Sequence, residues 1–61
     1  MKNRKIRTAM MTAGINQGDL AKILGVSGAE MSHVLKYELS VAEQYSIIDR
    51  IKKWQSERDT A

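Results

Sequence analysis

The sequence predicts an all-α fold, a compact four-helix domain. Three observations point to it. Apolar residues recur at spacings of three and four along most of the chain, the period of a helix buried on one face. The chain has no Pro and four Gly, and Gly14 and Gly25 stand where helices should end. Short polar residues precede the apolar runs where helices should begin. The chain has 61 residues, no Cys and one His. Folding at this length buries roughly 60% of the unfolded surface, and neither a disulfide nor a metal is on hand to add stability. The fold must rest on packing and on well-formed helix ends. One domain over residues 1–57 is expected, with a frayed tail at 58–61.

The first helix is expected from about Asn3, as N-cap, to Ala13. Ile6, Ala9, Met10 and Ala13 share its inner face, with Arg4, Arg7 and Met11 opposite. Gly14 suits the left-handed residue that closes a helix. Asn16 should cap the second helix, with Asp19 complementing its dipole. Leu20, Ala21, Ile23 and Leu24 form its apolar side, and Gly25 ends it. Ser27-Gly28-Ala29-Glu30 is a capping box that opens a third helix. Met31, Val34 and Leu35 are its expected buried stripe. Ser40-Val41-Ala42-Glu43 is a second capping box, opening a longer helix to about Gln55 or Arg58. Its apolar residues cover about 180°, wider than the roughly 100° one core needs. One edge holds Val41, Tyr45 and Ile48; the other holds Ile47, Ile51 and Trp54. The pattern leaves open which edge faces inward. The other edge is then free for a second subunit, with Tyr45, Ile47, Ile51 and Trp54 as candidate dimer contacts.

Ten Lys and Arg stand against seven Asp and Glu, a net charge of +3. The excess lies in residues 1–13, which hold Lys2, Arg4, Lys5 and Arg7 and no acid. That balance favours an anionic partner. No targeting segment or membrane-length apolar run is visible. Nothing suggests an enzyme. There is no Cys nucleophile, no phosphate-binding Gly loop, and one His without a metal or catalytic setting. No cofactor, metal or small-molecule ligand is expected.

The short turn Gly25-Val26-Ser27 joins two short helices at a steep angle and presents the second outward. Ala21 is small enough for the two to approach, Val26 plugs the turn, and Met31 and Val34 anchor the outer helix. The run from Gln17 to Leu35, with Gln17, Ala21, Gly25, Val26 and Met31 in register, closely resembles the helix-turn-helix of the Cro/CI-type, lambda-repressor-like DNA-binding family. The resemblance covers about residues 4–36; the last helix matches only in general pattern.

That resemblance implies a lambda-repressor-like fold with the third helix, about residues 28–36, in the major groove of double-stranded DNA. Carried over by position, Gly28, Ala29, Ser32 and His33 face the base edges. Gln17 meets the phosphate backbone at the start of the second helix. Lys22, Lys36 and Tyr37 are further candidates for phosphate contact. Relatives commonly carry Gln, Arg or Thr where this chain has Gly28 and Ala29. Ala29 can touch a thymine methyl, Ser32 can serve several bases, and His33 can pair with a guanine acceptor. Selectivity is then expected to draw on dimerisation or DNA shape. The implied function is that of a cytoplasmic, nucleoid-associated transcriptional regulator, a repressor of a bacterium or phage, acting as a homodimer without a membrane. The bare positions 28 and 29 also motivate an alternative: a protein-interaction module, antirepressor- or antitoxin-like, on the same scaffold.

Overall fold

A computed structural model describes residues 2–60, with side chains through Arg58. The chain forms four helices in sequence: α1 (Arg4–Ala13), α2 (Gln17–Leu24), α3 (Gly28–Leu35) and α4 (Val41–Thr60). The described residues include no strand. α1 packs on α4, α2 on α3, and α2 on α4. A helix the length of α4 extends about 30 Å, which sets the long dimension of a 34 × 22 × 17 Å molecule. The backbone is helical through Thr60, past the expected boundary at 57. Of the expected tail, Ala61 lies outside the described residues.

The helix ends follow their sequence signals. Asn16 and Asp19, Ser27 and Glu30, and Ser40 and Glu43 each form a reciprocal capping box, with N–H···O distances of 2.8–3.3 Å. Gly14 and Gly25 adopt φ of 70° and 72°. Beyond them, Ile15 N–H donates to Met10 O and Val26 N–H to Ala21 O. These are the wide backbone bonds of a Schellman ending, which suits a Gly in the left-handed region followed by an apolar residue. Ile15 and Val26 accordingly turn back and pack on the core.

The core consists of Ile6, Met10, Leu20, Ala21, Met31, Leu35 and Ile51. Every helix supplies at least one of them. Ala21 is 3% exposed, and its small side chain lies where α2 meets α3. Val34 differs from expectation. It is 37% exposed, at the edge of the α3 stripe rather than in it. Met31 and Leu35, one helical turn apart, fill the contact without it.

α4 resolves the choice between its two edges. Ile51 is buried, and Ile47 and Ile48 are half-buried against the core. Val41 and Tyr45 are more than half exposed. The buried stripe also takes in Gln44, at 5% exposure. Its amide Nε2 donates to Leu39 O at 3.0 Å and to Glu38 Oε2 at 3.3 Å. Those bonds satisfy the amide donors, while Oε1 is buried without a hydrogen-bond partner among the described residues; the stripe lies one position away from Tyr45.

Asn3 is the largest departure. It does not cap α1; its side chain makes no capping hydrogen bond. It adopts φ 56° and ψ 44°, the sole non-Gly residue with positive φ among those described. Its side chain is fully buried. The amide Nδ2 donates to Leu35 O at 3.2 Å and Tyr37 O at 2.9 Å, and Oδ1 accepts Leu39 N–H at 2.8 Å. Its own backbone N–H donates to Glu38 Oε2 at 2.7 Å. Asn is among the few residue types that tolerate this backbone region. Here it ties the start of the chain to the α3–α4 loop, satisfying carbonyls that the end of α3 leaves unpaired.

Candidate nucleic-acid interface

The helix pair α2–α3 is held rigidly at three points. Gly25 and Val26 close α2, the Ser27–Glu30 box opens α3 two residues later, and Met31 and Leu35 bury the inner side of α3. The outer side of α3 is then presented to solvent. Ala29, Ser32 and His33 are exposed there, and Gly28 is exposed at the first position of the helix. The one acid in the helix, Glu30, is engaged through Oε1 by Ser27 N–H at 3.3 Å. Gly28 has an ordinary φ, and a Cβ added to it would meet nothing within 4 Å. The position therefore accepts a side chain without strain or clash.

His33 and Tyr37 are brought together. Their rings meet edge to face with centroids 5.7 Å apart. Tyr37 is 57% exposed, so the pair forms a small aromatic platform at the C-terminal end of α3. Lys36 is the C-cap of that helix and is exposed. Lys2 Nζ donates to Lys36 O at 3.0 Å, and Arg7 Nε donates to Lys2 O at 3.1 Å. Two residues of the N-terminal basic block, Lys2 and Arg7, thus stand beside the end of α3, against the negative end of its dipole. Sequence reasoning placed that block on a helix face. It gave no hint that Lys2 and Lys36 are neighbours, because the tie through Asn3 spans more than thirty residues.

Gln17 is half-buried at the first position of α2, directly after the Asn16 cap. Lys22 is exposed but lines a groove with Asp19, Ile23 and Trp54. It belongs to the seam between α2 and α4. Of the candidate dimer contacts, Ile51 is 1% exposed and sits inside the core of its own chain, so it has no surface for a second one. Ile47 packs half-buried against that core, and Trp54 lies half-buried in the α2–α4 seam. Tyr45 remains exposed, with Lys5 Nζ 5.6 Å from its ring centre.

Among the described residues no three His, Cys, Asp or Glu side chains gather as metal ligands, and no helix is long and apolar enough to cross a membrane. Comparison with family models, curated proteins and solved structures gives no match.

Proposed function

We propose that the chain binds double-stranded DNA as a transcriptional regulator of the Cro/CI type, with α3 in the major groove. The observation that carries this reading is the division of α3. Its inner side is buried, and its outer side offers Ala29, Ser32 and His33 in one exposed row, with Gly28 exposed at the first turn and the single acid engaged in a cap. A helix so presented can lie along base edges. Lys36, Tyr37 and Lys2 stand at one end of that row and Gln17 at the start of α2. These are the places from which phosphates on either side of a groove are held. Ser32 and His33 supply hydrogen bonds to bases; Gly28 and Ala29 allow close approach and contact with a thymine methyl.

Two copies on a two-fold axis would read a palindromic site with half-sites about one helical turn, roughly 34 Å, apart. Tyr45, with its neighbour Val41, is the apolar surface of α4 left for such pairing. A small domain that occupies DNA in this way would repress by keeping other proteins off the site.

Selection of bound sequences from a random duplex pool tests the reading. Enrichment of a half-site motif is expected, and loss of that preference in the double variant Ser32→Ala/His33→Ala. A pool that stays random would sink the proposal and favour a protein partner for the same helix pair.

A further inference from the structure

The outer side of α3 holds few groups that can read a base. Gly28 has no side chain and Ala29 offers only a methyl, so directional hydrogen bonds fall to Ser32 and His33. A Ser hydroxyl rotates and serves several bases. An imidazole is rigid and presents its nitrogens at fixed angles, so its discrimination depends on how the ring is turned. A ring that turns freely adjusts to a wrong base as readily as to the right one.

His33 is not left to turn freely. Its ring meets that of Tyr37, one helical turn on, edge to face at 77° with centroids 5.7 Å apart. Aromatic pairs prefer this arrangement, which favours one setting of the rings by roughly threefold to tenfold. The His33 side chain makes no hydrogen bond or ion pair among the described residues. Both ring nitrogens therefore stay available to a ligand while the ring edge is engaged.

Tyr37 can hold His33 because its own backbone is held. α3 ends at Leu35, with Lys36 as its C-cap, so helical hydrogen bonding does not fix Tyr37. Asn3 does. Its Nδ2 donates to Leu35 O at 3.2 Å and to Tyr37 O at 2.9 Å, and its Oδ1 accepts Leu39 N–H at 2.8 Å. The loop is thus gripped at Tyr37 and on both sides of it by a fully buried side chain. A chain of contacts runs from the core through Asn3 and the Tyr37 backbone to the His33 ring.

We propose that Tyr37 is a positioning residue for base reading: its ring fixes the orientation in which the His33 imidazole meets a base edge. This rests on the DNA-binding reading of α3. It gives the Tyr37 ring a role separate from that of its hydroxyl, which can still meet a phosphate. Tyr37→Phe keeps the ring and removes the hydroxyl, whereas Tyr37→Leu removes both and keeps apolar bulk.

Selection from a random duplex pool is run on the wild type, both Tyr37 variants and His33→Ala. The base pair read by His33 is the one whose preference His33→Ala abolishes. Tyr37→Phe should retain that preference, even where loss of a phosphate contact lowers all affinities together. Tyr37→Leu should reduce it by about threefold to tenfold at that base pair alone. Circular dichroism should stay the same, because both side chains are exposed. A second readout needs no DNA. The His33 ring-proton resonances should keep their Tyr37 ring-current shift in Tyr37→Phe and lose it in Tyr37→Leu. Full base preference in Tyr37→Leu, equal and uniform losses in Phe and Leu, or unmoved His33 resonances would each overturn the proposal. A wild-type motif that His33→Ala leaves intact overturns it while DNA binding stands. A wild type that enriches no motif removes the DNA reading and this role together.

Discussion

Replacing Asn3 removes three side-chain hydrogen bonds in one step and leaves Leu39 N–H and the carbonyls of Leu35 and Tyr37 without them. Unpaired buried groups cost about 1–3 kcal/mol each before water relieves them. Asn3→Ala is therefore expected to destabilise by about 2–4 kcal/mol, read as a lower urea midpoint at unchanged slope. Domains hold only about 0.05–0.15 kcal/mol per residue, so this is a large part of the whole. Asn3→Gly separates the two contributions. It keeps the left-handed backbone comfortable but loses the same bonds, and should be less damaging than Ala by about 1 kcal/mol. If Ala and Gly are both neutral, the Asn3 network carries no stability. Gly28 offers the converse case. Its φ and its surroundings are open, so Gly28→Gln should keep the fold and add a base-reading side chain. A changed motif in duplex selection, at unchanged stability, is the expected outcome.

At the scale of elements, the helices are set by their ends and by one stripe each. Ser27→Ala removes the oxygen that accepts Glu30 N–H and should cost about 1 kcal/mol. Gly25→Ala should cost about 1–2 kcal/mol, and the reason is backbone alone, since a Cβ there would touch nothing within 4 Å. α4 makes the sharpest contrast. Ile51→Ala empties a buried site and should cost about 2–4 kcal/mol. Tyr45→Ala, at an exposed site, should stay below about 1 kcal/mol in thermal or urea unfolding of the monomer. Equal losses at the two positions would mean that the inward edge has been misassigned. Both edges of α4 are apolar, so hydropathy alone ranks them equally. Gln44 breaks the tie through its bonds to Leu39 and Glu38, a contribution that a hydropathy pattern counts as polar and places outside.

For the whole molecule, charge placement matters more than net charge. Lys2, Lys36 and Arg7 meet near the end of α3, whereas Lys22, Arg50 and Lys53 meet across the α2–α4 seam. If α3 enters a groove, the first cluster governs binding to all DNA sequences alike. Lys36→Ala should then lower the slope of log affinity against log salt by about 0.9. Lys22→Ala, on the other cluster, should leave that slope nearly unchanged. Binding isotherms at several salt concentrations check both. Self-association has its own readout. Tyr45→Ser should shift sedimentation toward monomer if that exposed face joins two copies, while leaving the affinity of each copy for a half-site unaltered.

The local code was legible in the chain itself. Asn16, Ser27 and Ser40 with their partners three residues on, and Gly14 and Gly25 at the ends, specify helices because caps and left-handed turns act between near neighbours. The exposed row Ala29, Ser32, His33 and Lys36 was legible for the same reason, since one helical period places it opposite Met31 and Leu35. Three features were decided only by the tertiary structure. Asn3 became a buried tie because its partners lie in a loop that folding brings to it. Val34 and Tyr45 were left outside because neighbouring helices, rather than hydropathy, choose which part of a wide stripe to cover. The Trp54 groove exists because α2 and α4 meet at an angle that leaves a seam, and no spacing along the sequence records the angle between two helices.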